Sequence, residues 1–117
     1  GVEPLSSPLL TKGYAGSHKI QGIGANFIPK TLNLDVIDEI MDVSDEDAKK
    51  YVKLLAKLEG LLVGYSAGAS LSVAIRLAKS PKNKDKNIVV ILPDNGSRYL
   101  STDLFIMILF NNFKVFY

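Results

Sequence analysis

The 117 residues include no cysteine, no tryptophan and a single histidine, His18. Without cysteine there is no disulfide framework, no thiolate metal site and no cysteine nucleophile. One imidazole excludes a multi-histidine metal centre within a single chain. An excess of one charge is missing too. The formal net charge is only +2, which gives no reason to expect nucleic acid or an anionic membrane as partner. No apolar run approaches the ~20 residues that a membrane span needs. Gly1 to Pro8 carry no basic-then-apolar leader pattern, so the cytoplasm is the expected compartment. Apolar side chains are plentiful, at 47%. A packed core is therefore expected, in one small domain or a part of a larger one.

The most informative stretch is Leu61-Leu62-Val63-Gly64-Tyr65-Ser66-Ala67-Gly68-Ala69-Ser70. Three aliphatic residues before Gly64 read as the end of a buried segment. The small residues that follow let the backbone turn tightly and approach a ligand. Leu71, Val73, Ala74, Ile75, Leu77 and Ala78 continue as a helix, with Arg76 and Lys79 at the end that favours cations. Ser66 thus falls at a helix N-terminus, where a hydroxyl either caps free N–H groups or meets a ligand.

Pro4 and Pro8 keep the first residues extended or turning. Gly22 and Gly24 permit positive φ or close backbone approach, but the third glycine of a dinucleotide fingerprint is replaced by Phe27. Leu32 to Asp38 predicts a short helix and Ile40 to Val43 a short strand. Ser44 followed by Asp45, Glu46 and Asp47 is a strong helix start, and Gly60 a stop. Between them Ala48, Val52, Leu55 and Leu58 form an apolar stripe, and Lys49, Lys50, Lys53 and Lys57 a solvated face. Asn87 to Pro93 is β-branched without polar alternation, the pattern of an interior strand in a parallel sheet. Asp94-Asn95-Gly96 is a turn at that strand's carboxyl end, where α/β sheets place their ligands. Strands apolar on both faces demand cover and neighbours, so the chain reads as the carboxyl-terminal portion of a larger α/β enzyme.

Gly64-Tyr65-Ser66-Ala67-Gly68 fits the G-x-S-x-G nucleophile elbow of α/β-hydrolases. That chemistry needs an acid and then a histidine after the serine; Asp94 or Asp103 could supply the acid, but the single histidine, His18, lies before Ser66. Without a base the hydroxyl is a poor nucleophile, and the hydrolase reading fails within this chain.

A different resemblance covers residues 1–104 in unbroken order. Lys19-Ile20-Gln21-Gly22-Ile23-Gly24-Ala25, Phe27-Ile28-Pro29 and the Leu61 to Ser70 turn resemble segments of one family, as does Val89-Val90-Ile91-Leu92-Pro93 with Arg98-Tyr99-Leu100-Ser101-Thr102. That family is cysteine synthase (O-acetylserine sulfhydrylase) and cystathionine β-synthase, fold-type II enzymes dependent on pyridoxal phosphate. The resemblance implies an α/β fold, with residues 1–104 forming the carboxyl-terminal part of the large cofactor-binding domain, a parallel sheet flanked by helices. Residues 105–117 are an apolar tail unlike the family's end.

In that family a serine at the position of Ser66 hydrogen-bonds the pyridine nitrogen of the cofactor. Gly22, Ile23 and Gly24 match the loop beside cofactor and substrate. The implied reaction is β-replacement: O-acetylserine loses its acetate and sulfide adds to give L-cysteine. Cysteine desulfhydration, cystathionine synthesis and lanthionine synthesis are alternatives within the same chemistry, and an inactive assembly module is another. The Schiff-base lysine and the phosphate loop lie upstream in the family's order, so no catalytic residue and no metal ligand is assigned here. Asp94-Asn95-Gly96-Ser97 replaces the more usual serine pair, glycine and glutamate. The implied partners are a small amino-acid substrate and a second subunit in a homodimer or the missing amino-terminal portion. Some members also bind the tail of serine acetyltransferase.

Overall fold

The computed structural model describes residues 1–105. Strand β1 (Val2–Pro4) pairs in parallel with β2 (Met41–Val43), Val2 opposite Met41 and Pro4 opposite Val43. The ladder extends past both strands, because Met41 N–H donates to the Gly1 carbonyl and Leu5 N–H to the Val43 carbonyl, at 2.9 and 2.8 Å. Between them lies α1 (Leu9–Lys12), a single turn with no periodic signal in the sequence. Its free N–H groups are met from outside: the buried Glu3 carboxylate accepts from Leu10 and Thr11 at 2.9 and 3.2 Å. A carboxylate at the positive end of a helix is favourable, and here it also joins α1 to β1.

Helix α2 (Asp45–Glu59) begins where its cap predicts, with Ser44 Oγ accepting from Asp47 N–H at 3.0 Å, and ends at Gly60 in the left-handed region. Helix α3 (Tyr65–Ala78) follows after five residues and packs along α2. The approach is very close. A methyl group placed on Gly68 would stand 2.1 Å from the Ala48 carbonyl oxygen and 2.5 Å from Val52 Cγ2. Ala48, Val52, Ala67, Ala69 and Val73 form the buried seam, joined by Ile20 and Val43. On the far side the Arg76 guanidinium holds the Asp42 carbonyl oxygen, fixing α3 to β2.

The Leu32 to Asp38 helix contracts to a 3-10 turn, Leu34–Val36, with Asn33 as its cap. Of the aliphatic residues before Gly64, Val63 is buried while Leu61 and Leu62 are half exposed. The larger correction concerns Asn87 to Pro93. This segment is not part of a ladder among the described residues, and Val89 and Ile91 are 91% and 76% exposed. An interior strand needs a neighbour on each edge, and neither of the two described strands pairs with this segment. One antiparallel bridge, Val63 with Asn95, ties the following turn to the entry of α3. Phe105, the first residue of the expected tail, is buried beside Gly96, and 106–117 lie outside the described residues. Among the described residues no helix is long and apolar enough to cross a membrane.

Candidate functional site

Gly64 is the N-cap of α3 and supplies no side chain to cap it. Ser66, two residues on, is buried at 5% exposure, and no side chain caps the helix. Its hydroxyl therefore sits in the first turn, beside N–H groups that the helix itself leaves free.

The loop carrying Gly22, Ile23 and Gly24 is folded over this point. Gly22 has φ +97°, and a methyl group placed on it would stand 3.4 Å from Ser66 Oγ. The structure thus brings together the serine and the first glycine, which lie far apart in sequence. Gly24 has φ +68°, and its missing side chain is replaced by neighbours: a methyl there would meet His18 Nε2 at 2.5 Å and Pro4 Cγ at 2.6 Å. The His18 ring lies 3.0 Å from the Gly24 carbonyl through Nε2, which fixes the turn. Gly24 is therefore held by packing, whereas Gly22 faces the serine.

Two concavities flank the loop. One, of about 590 Å³, is bounded by Glu3, Ser7, Leu10 and the Gly22 to Gly24 backbone. The other, of about 420 Å³, lies between Lys19, Gln21, Gly22, Ile23, Tyr65 and Asp103. Ile23 lines both.

Tyr65 and Tyr99, to which the sequence assigned no role in the site, surround the entry of α3 together with Asp94 and Asp103. Tyr65 donates its hydroxyl to Asp103 Oδ1 at 2.7 Å, and Lys49 of α2 holds the other carboxylate oxygen. Burial first, and then this hydrogen bond, push the Tyr65 phenol well above the usual tyrosine range. Asp103 moves the other way, because Lys49 and then Tyr65 hydrogen-bond its charged form. The Tyr65 ring meets Tyr99 edge-on at 5.7 Å. Tyr99 in turn donates to Asp94 Oδ2 at 2.7 Å, and that bond, ahead of burial, raises the Tyr99 phenol. The remaining Asp94 oxygen is buried against Gly64. Asp94, a departure from the family pattern in the sequence, is therefore engaged with Tyr99 and the α3 cap. Lys49, counted in the solvated row, is an ion-pair partner.

An α/β chain that offers a small ligand a helix N-terminus, an uncapped serine and a side-chain-free backbone turn is built for a flat, anionic or heteroaromatic group. The family model described as "Pyridoxal-phosphate dependent enzyme" matches residues 1–94, and the chain belongs to that family. The chain is 63% identical over 105 residues to cysteine synthase B of Campylobacter jejuni, covering 90% of this chain and 34% of that protein. Cysteine synthase (OASS) of Entamoeba histolytica superposes with a TM-score of 0.86 at 42% identity, over 89% of this chain and 31% of that one. The O-acetylserine dependent cystathionine beta-synthase of Helicobacter pylori gives 0.75 at 40% identity, over 91% and 34%. The chain thus spans about a third of the length of the relatives it matches.

Proposed function

We propose that this chain supplies the ring-nitrogen side of a pyridoxal phosphate site in an enzyme that makes L-cysteine from O-acetylserine and sulfide. The observation that carries the reading is the Gly22–Ser66 contact. A hydroxyl in the first turn of α3, uncommitted to capping and faced by a residue with no side chain, fits the edge of a pyridine ring. When bound, the cofactor supplies an electron sink for loss of the β-substituent.

Ser66 donates a neutral hydrogen bond to the ring nitrogen. The positive end of α3 would disfavour a proton at that nitrogen. Gly22, Ile23 and Gly24 shape the pocket: Gly22 by its bare backbone, Gly24 through the turn locked by His18 and Pro4, and Ile23 as an apolar wall. Residues 1–104 are the part of the large domain that serves this site, followed by the apolar tail. Homodimer formation, association with the segments that carry the lysine and phosphate loop, docking of a serine acetyltransferase tail and a cytoplasmic location all rest on the family resemblance.

The test uses a polypeptide carrying those family segments, loaded with pyridoxal phosphate and followed by its visible absorbance. Ser66→Ala is expected to weaken cofactor affinity by about 0.5–1.5 kcal/mol, one neutral hydrogen bond, and to slow cysteine formation. Ser66→Asp does worse, because a carboxylate draws a proton onto the ring. Unchanged spectra and turnover in both variants would remove Ser66 from the site. Supplying homocysteine beside sulfide separates cysteine formation from cystathionine formation, the activity in the Helicobacter pylori relative's name.

A further inference from the structure

We propose that Tyr65 and Asp103 are positioning residues for Ser66: Tyr65 stands in a closed ring of contacts on the entry of α3, with Tyr99, Asp94 and Gly64, and Asp103 ties that ring to α2. The proposal rests on the reading of Ser66 given above and extends it to residues that do not touch the ligand.

The ring can be followed atom by atom. Lys49 on α2 holds the Asp103 carboxylate. Asp103 Oδ1 accepts from the Tyr65 hydroxyl at 2.7 Å. The Tyr65 ring packs edge-on against Tyr99, with an interplanar angle of 84°. Tyr99 donates to Asp94 at 2.7 Å, and the other Asp94 oxygen lies so close to Gly64 that a methyl there would sit 2.3 Å away. Gly64 and Tyr65 are the cap and first residue of α3, and Ser66 is the next.

This arrangement answers a problem the helix start presents. Gly64 cannot cap, and a first turn with neither side-chain cap nor tertiary anchor frays. Here the anchors come from outside the helix and grip the two residues before Ser66. Tyr65 is gripped at its hydroxyl and on its ring, so both the tilt and the rotation of the first turn are set. The phenol–carboxylate bond is charge-assisted, the stronger kind of hydrogen bond. Asp103 is joined in turn to α2, the helix against which α3 is seated. An error in that turn would move Ser66 Oγ relative to Gly22 and spoil the pocket without unfolding the chain.

The experiment has two readouts on the purified protein. The first is amide hydrogen exchange at Gly64 and Gly68, whose N–H groups donate to the Asp94 and Gly64 carbonyls, with thermal melting as the control for global stability. Tyr65→Phe keeps the ring and the Tyr99 contact but loses the hydroxyl. It is expected to raise exchange in the first turn of α3 about tenfold, the effect of one charge-assisted bond, with the rest of α3 unchanged. Asp103→Asn keeps an oxygen acceptor for the phenol and is expected to give the smaller rise. Equal exchange in wild type and both variants would overturn the proposal, as would a rise spread evenly over the whole chain.

The second readout is affinity for 4-deoxypyridoxine 5′-phosphate, an analogue with no aldehyde to react with surface lysines. Ser66→Ala and Tyr65→Phe are each expected to weaken it about two- to tenfold. The double variant should fall little further, because one change acts through the other. Additive losses would overturn the coupling of Tyr65 to Ser66. No loss in Ser66→Ala would remove the ligand reading itself. The exchange result would then still decide whether the ring anchors the helix start.

Discussion

At the scale of single residues, the site is built from side chains that are absent as much as from those present. Gly22 and Gly24 both have positive φ, yet they do different work. Gly22 leaves room above Ser66. The empty place at Gly24 is already occupied by His18 and Pro4, so Gly24→Ala both strains the backbone and forces those groups apart. A left-handed conformation costs a non-glycine residue about 1–2 kcal/mol, and the clash adds to it. Gly24→Ala should therefore lower the thermal midpoint, whereas Gly22→Ala should cost the backbone term alone, since a methyl there stands in ordinary contact with Ser66. Equal midpoints for wild type and Gly24→Ala would show that the loop yields. The positive φ of Gly22 and Gly24 and the helix start beside Ser66 were legible in the sequence because their motifs are local; a role for them at a ligand came only from the family resemblance. The contact between Tyr65 and Asp103 was not legible: it spans 38 residues, and no periodicity records which carboxylate a tyrosine reaches.

At the scale of elements, α2 and α3 form the firmest unit, and Gly68 is the reason they pack so closely. A larger residue would push backbone against backbone at Ala48, where no rotamer can relieve the contact. Gly68→Val should cost at least the ~1–3 kcal/mol of an overpacked core, read as a lower urea midpoint with α2 and α3 separated. Both helices could be read from the sequence, since Ser44, the acidic first turn and Gly60 mark the ends of α2 by chemistry local to it. The segment Asn87 to Pro93 could not be settled so simply. Its composition says strand, but a strand is a relation between segments, and neither of the two described strands pairs with it. With Val89 and Ile91 open to water, the 117-residue chain should self-associate. Light scattering should rise with concentration and fall in a Val89→Lys, Ile91→Lys double variant. A monodisperse wild-type chain would contradict this.

At the scale of the whole molecule, pH acts on the ring of contacts around α3 from both sides. The Asp103 carboxyl is held below its usual range, so its contribution is present above the ordinary carboxylate value and lost as pH falls through the folded one. Tyr65 and Tyr99 are raised, so theirs is present below the ordinary phenol value near 10 and lost as pH rises through the folded ones. Stability should therefore fall at both extremes. Asp103→Asn should flatten the acid limb by under about 1 kcal/mol, the range of an exposed pair, and Tyr65→Phe should flatten the alkaline one. Urea midpoints across the pH range check both. The pairing of Val2 with Met41 has a consequence in time as well as in space. Between those two partners lie α1 and the entire Gly22 loop, a long closure, whereas α2 and α3 are joined by a few residues. Closing a long loop costs more entropy and comes later than a local helix hairpin. The serine should thus be in place during folding before the backbone that will cover it arrives.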